Sequence, residues 1–143
     1  MKDPLLMKDS ELIIEDDIQA NNELLSKMTD DISLITEETK NSILLAMLKM
    51  HKYLDDYCGD LDVSLNTTKE IKENTQPWYI IFDGSSNMER RAIRFHYKCN
   101  WETGHGVEVI VLNGNKAVFV GNCGYASSIE RLMSTDNSEY NYL

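Results

Sequence analysis

The sequence predicts an α+β domain, an antiparallel β-meander of about four or more strands packed against one long α-helix. Three observations predict it. Apolar residues recur at three- and four-residue steps between Thr36 and Tyr57, the spacing of one helix face. From Trp78 the period changes to two, the alternation of half-buried strands. Asn113-Gly114 lies between two such runs and is the dipeptide that type I′ hairpins favour. A length of 143 residues suits one hydrophobic core, so residues 1–143 are expected to form a single domain.

Taken in order, residues 1–10 read as a loose lead-in, and Glu11-Leu12-Ile13-Ile14-Glu15 as a short strand ended by the Asp16-Asp17 pair. Asn21-Asn22 marks a turn, or caps a short helix with Leu24, Leu25 and Met28 at helical spacing. The long helix opens at Thr36, an N-cap residue, with Glu37 and Glu38 at the positive end of its dipole. Its stripe is Ile43, Leu44, Met47, Leu48, Leu54 and Tyr57/Cys58, with Gly59 as the natural stop. His51 lies on this stripe and reads as a satisfied core-edge residue. The polar residues 59–76, with Asp60, Asp62 and Asn66, read as a connection.

Strands are expected at Trp78–Phe82, within residues 88–99, at Val107–Leu112 and at Ala117–Val120. In the second, Ile93, Phe95, Tyr97 and Cys99 share one face and Arg90, Arg94, His96 and Lys98 the other. That second face reads as a solvated basic side, or one paired with the acidic N-terminal half, and is too small for a nucleic-acid footprint. Gly121-Asn122-Cys123-Gly124 lacks the lysine and long helix of a phosphate cradle and reads as a strand-ending turn. A short helical piece then holds Ile129, Leu132 and Met133, and residues 134–143 read as frayed.

The net charge of −10 is unevenly spread. Residues 1–62 hold 15 Asp and Glu against 6 Lys and Arg, a net −9, and residues 63–143 hold 9 against 8, a net −1. An acidic half repels phosphate backbones and anionic lipid, which argues against nucleic-acid and membrane-surface roles. It favours encounter with a basic protein partner, although acidity also serves solubility alone. Candidate contact residues are Glu15, Asp16, Asp17, Asp30 and Asp31, alone or with Asp55 and Asp56. The longest apolar run, Ile43 to Leu48, is far short of the ~20 residues that span a bilayer. No apolar stretch of signal-peptide length opens the sequence, and Cys58, Cys99 and Cys123 are sparse and odd in number. Reduced thiols in a cytoplasmic monomer or homodimer are the expectation.

Chemistry concentrates in Cys99-Asn100-Trp101-Glu102-Thr103-Gly104-His105-Gly106, between two strands. Gly104 and Gly106 permit a sharp corner, and Glu102 comes beside His105 three residues on. A carboxylate beside an imidazole fixes its tautomer, as general bases require. The same pair can instead brace the turn and Trp101, and no positioned nucleophile accompanies it. Cys99, His105, Cys123 and His96 lack the pair spacing of structural zinc sites, so neither a metal nor another cofactor is expected.

These residues, with Trp78–Phe82 before them and the hairpin ending Val118-Phe119-Val120-Gly121 after, resemble an uncharacterised bacterial domain family. Its hallmark is a Cys-x-Trp-acidic-x-Glu-His-Gly corner, and the similarity covers roughly residues 78–126. The chain departs from it at Gly104, where the family usually has Glu. The resemblance implies a protein from toxin–immunity neighbourhoods, hence a toxin-neutralising inhibitor. The alternatives are an accessory module that dimerises through a strand edge, and a hydrolase using Glu102 and His105.

Overall fold

Helix and strand form where the two periodicities place them, and the turns between carry the residues their backbones require. The computed structural model describes residues 1–58, 63–126, 128–134 and 140–143. Five strands form one sheet in the order β1-β2-β3-β4-β5: Glu11–Ile14, Thr75–Phe82, Ala92–Cys99, Glu102–Leu112 and Lys116–Asn122. β2 to β5 are an antiparallel meander, whereas β1 pairs with β2 in parallel. Parallel neighbours need a long crossover. Here the crossover holds α1 (Asp16–Gln19), α2 (Asn22–Ser33), α3 (Glu37–Cys58) and α4 (Thr68–Glu73). The α+β architecture with a long helix over a meander is therefore as the sequence predicts.

Local signals set the helix starts. The Asn21 side chain accepts from the Leu24 N–H, and the Thr36 hydroxyl accepts from the Thr39 N–H. Asn115, from the β4–β5 turn, reaches the same end of α3 and accepts from the Thr36 N–H and the Thr39 hydroxyl. That turn has left-handed backbone at both Asn113 (φ 51°) and Gly114 (φ 80°), the I′ geometry expected of the dipeptide. A side chain at Gly114 would press on the Asp31 carbonyl oxygen, so the turn tip packs directly on the end of α2.

The main core lies between α1–α4 and one sheet face. Ile18, Met28, Met47, Met50 and Ile71 interdigitate there with Ile80, Phe82, Phe95, Val109 and Val120. Ile43 and Leu44 are buried as expected, but Tyr57 is exposed and stacks on Tyr53 instead of entering the core. Gly59, Asp60 and Asp62 lie outside the described residues. Within the expected connection, α4 forms because Thr67 caps it and Ile71 enters the core. A second, smaller core on the opposite face joins Ala92, Ile110, Leu112 and Phe119 to Ala126, Ile129 and Leu132 of the segment running into α5 (Ile129–Ser134). Met133 stays exposed.

Residues 1–6 and 140–143 are more ordered than their composition implies, and the rest of the expected frayed end, 135–139, lies outside the described residues. Leu5 and Leu6 are core residues, and Asp3 is 1% exposed. Its carboxylate accepts from the N–H groups of Leu5 and Leu6 and from the Tyr97 hydroxyl at 2.8 Å. Burial raises the Asp3 pKa against those hydrogen bonds. At the other end Tyr142 donates its N–H to the Val120 carbonyl. No described helix is long and apolar enough to cross a membrane.

Candidate functional site

The chain reverses over Asn100 and Trp101, so Cys99 opposes Glu102, and pairing resumes at Tyr97 opposite Val107. Thr103 to Gly106 therefore bulge out of the ladder. Within this bulge the Glu102 carboxylate accepts from the N–H groups of Gly104 (3.2 Å), His105 (3.2 Å) and Gly106 (2.6 Å). Those are the backbone donors that the interrupted ladder leaves unpaired, and the acid satisfies them. Gly106 is the glycine the geometry requires. Its φ is +76°, and a side chain there would meet the Tyr97 carbonyl oxygen at 2.7 Å. Gly104 has no left-handed backbone and is exposed, so the departure from the resembled motif falls where nothing demands glycine.

The pair singled out from the sequence is thus brought close but not coupled. His105 Nδ1 stands 3.9 Å from Glu102, beyond hydrogen-bond reach, and the His105 side chain is 62% exposed beside Tyr125. Trp101 points the other way, wholly buried, with its indole N–H donated to the Thr75 hydroxyl at 3.2 Å. His51 meets its ring edge-on at 5.8 Å and accepts the Leu65 N–H through Nε2 at 2.9 Å. Burial lowers the His51 pKa, against the pull of Asp55. Its Nδ1 has no partner among the described residues. The indole, carboxylate and imidazole of the corner are therefore not coupled to one another.

Burial favours the protonated form of both described thiols, Cys99 and Cys123. Burial raises the Cys99 pKa strongly, and burial with Glu108 and Glu102 nearby pushes Cys123 up to about 12. Cys99 and His96 lie on opposite faces of β3. Among the described residues no group of three or more His, Cys, Asp and Glu is placed to hold a metal ion.

On the outer sheet face the structure assembles a constellation that the sequence reading did not identify. The supposed solvated basic side is paired and half-covered. Arg94 donates through Nε to Asp83 at 2.6 Å and through Nη1 to Glu108 at 3.2 Å and to the Ala126 carbonyl. His96 Nε2 lies 2.6 Å from the other Glu108 oxygen. Glu108 is 3% exposed, and each of its oxygens has a partner. Burial would raise the Asp83 pKa, but the Ser85 hydroxyl, Arg94 and the Ser85 N–H together hold it lowered. Burial would lower the Arg94 pKa, but the hydrogen bonds and charges of Asp83 and Glu108 together hold it raised. The signal for this network was present: Glu108 interrupts the apolar run Val107–Leu112 at the parity that faces Arg94 and His96.

Of the proposed contact carboxylates, Asp16, Asp17, Asp30 and Asp56 are exposed and Asp55 is half-buried. Glu15 is exposed but accepts the Gly84 N–H. Asp31 is a correction: it is 0% exposed and paired to Arg91, so it is not an exposed carboxylate. An open cleft of about 690 Å3 lies between α3 and β5, lined by Thr39, Lys49, Asn115, Lys116 and Tyr142 among others. It includes none of the corner side chains.

Comparison with curated proteins and with solved structures found no similar chain. A protein-family comparison matched residues 3–127 to DUF6985, a domain of unknown function, which takes in the sheet, the helices over it, the corner and the outer-face network. On that match the chain belongs to the DUF6985 family.

Proposed function

We propose that this chain is a protein-binding domain whose acidic helical surface recognises a basic protein. The observation that carries this reading is a set of unneutralised carboxylates. Asp16, Asp17, Glu23 and Asp30 are exposed on α1 and α2, and none forms an ion pair among the described residues. Residues 1–62 carry −9 of the net −10. A concentrated field of one sign raises the encounter rate with an oppositely charged protein. The most concrete form of the reading is an immunity protein that neutralises a basic toxin, the role implied by the resemblance of the corner motif.

The test is affinity capture at low salt with the native chain and with a triple variant, Asp16→Lys, Asp17→Lys and Asp30→Lys. A basic protein held by the native chain, released by added salt and missed by the variant is the expected result. Equal retention by both chains would show that the acidic surface is not the contact.

A further inference from the structure

The sheet ends in β1 on one side and β5 on the other, and the chain treats these two edges differently. β5 is bulged at Val118, where its register with β4 shifts between Ile110 and Val111. Its outward groups are also occupied by the chain's own residues 140–143. The Val120 carbonyl accepts the Tyr142 N–H at 2.9 Å. The Val120 N–H donates to Asn141 Oδ1 at 3.2 Å, and Asn141 Nδ2 donates to the Val118 carbonyl at 2.8 Å. A bulge and a covering segment both blunt an edge against further pairing.

β1 has neither device. Its residues keep an unbroken register with β2, from Glu11 opposite Tyr79 to Ile14 opposite Phe82. Among the described residues β2 is the only strand beside it, and no backbone group of Glu11–Ile14 bonds to anything else. The far side of β1 is thus a half-ladder without its other half. The centre of the strand is apolar on both faces. Leu12 and Ile14 pack at the margin of the main core, and Ile13 lies on the opposite face beside Ile81. All three are half-buried. A strand laid along β1 would extend the core past Leu12 and Ile14 and cover Ile13.

Charge selects the occupant. Exposed carboxylates stand at both ends of the edge, Glu11 at its start and Glu15, Asp16 and Asp17 just past its end. None forms an ion pair among the described residues. Lys8, the nearest cation in the sequence, is turned to Gln76. A second copy of β1 laid antiparallel and centred on Ile13 would set Glu11 against Glu15, so like charges oppose self-pairing. A strand with cations at its ends meets the opposite sign at both.

We propose that β1 is the docking strand for the basic partner, which adds an extended segment, apolar at its centre and basic at its ends, as a sixth strand of the sheet. This inference rests on the acidic surface recognising a basic protein, and it adds the place and mode of contact. Backbone hydrogen bonds hold the segment, and the flanking carboxylates set the sign of charge it must carry. Asp16 and Asp17 belong to both the edge and the acidic helical surface.

The probe is the peptide Lys-Lys-Val-Ile-Val-Lys-Lys with blocked ends, whose sequence reads the same in both directions and so serves parallel or antiparallel addition. It is titrated into the native full chain at low salt by calorimetry, and amide hydrogen exchange is followed residue by residue. The peptide binds, exchange slows at N–H groups within Glu11–Ile14 and not on β5, and added salt weakens the complex. Methylating its three central amides removes donors but no charge, and weakens binding about tenfold or more, as the loss of one or more hydrogen bonds requires. A peptide with glutamate in place of every lysine does not bind. Absent binding of the lysine peptide, unchanged exchange at β1 or a methylated peptide that binds equally well overturns strand docking. The acidic-surface reading fails by a different sign: a glutamate peptide that binds as tightly as the lysine one, which removes the basic occupant as well.

Discussion

The carboxylate of Asp31 on α2 grips the guanidinium of Arg91, the residue before β3, at two points: Nε to Oδ2 at 2.6 Å and Nη2 to Oδ1 at 3.3 Å. Neither side chain is more than 10% exposed. Arg91 also donates to the Met88 carbonyl, and its own N–H is taken by the Asn113 side chain. The pair therefore ties the helical layer to the β2–β3 loop and the β4–β5 turn at one point. Its charges are compensated locally and contribute nothing to the outward acidic field.

Removing the acid should leave a buried cation without its partner. Asp31→Asn is expected to lower stability by about 3–5 kcal/mol. Asp16→Asn, on the exposed surface, should stay within about 0.5 kcal/mol. Urea unfolding of both variants checks the contrast, and equal losses would place Asp31 on the surface.

At the corner the expected outcomes separate bracing from catalysis. Glu102→Ala frees three backbone donors and should cost about 1–3 kcal/mol. His105→Ala, at an exposed ring, should stay within about 0.5 kcal/mol. Gly106→Ala forces a side chain into left-handed backbone against Tyr97 and should cost more than about 1 kcal/mol. Gly104→Ala should be near neutral. Thermal unfolding of the four variants reads out this order.

His51 should make stability depend on pH near neutrality. Burial holds its folded pKa below the usual 6.5, so at falling pH the unfolded chain takes up the proton first. Its contribution is complete above about pH 6.5 and is lost as pH falls from there through the folded pKa. His51→Gln keeps an acceptor for the Leu65 N–H and removes the titration. The slope of unfolding free energy between about pH 7.5 and 5 should therefore flatten in the variant. An unchanged slope would show that His51 is not its source.

Two acids act in opposite directions at lower pH. Asp83 is held below its usual value, so its contribution is present above about pH 3.8 and lost as pH falls through the folded pKa. Asp3 is raised, so its contribution is present below about pH 3.8 and lost as pH rises through the folded pKa. Asp83→Asn should thus shrink the loss of stability on acidification, and Asp3→Asn should enlarge it. Acid titration followed by circular dichroism distinguishes the two.

The meander, the long helix and the I′ turn were legible because each has a local cause: a period of two or 3.6, or a dipeptide suited to left-handed backbone. Trp101, Glu102 and His105 were legible as an unusual grouping in a glycine-bearing corner. Their division of labour was not, because it depends on which backbone donors a bulge leaves unpaired. Asp31 read as surface acid on composition alone, since nothing near it in the sequence shows that Arg91 waits 60 residues away.

By itself the sequence determined the element types, the face of β3 that enters the core and the concentration of negative charge in the first half. Those properties follow from residues within one or two turns of each other. Only the tertiary structure decided that β1 adds in parallel, that residues 1–6 and 140–143 pack rather than fray, and that Glu108 gathers Arg94 and His96. Each of these results from long-range pairing, in which a buried polar group or an open strand edge takes whichever distant partner satisfies it.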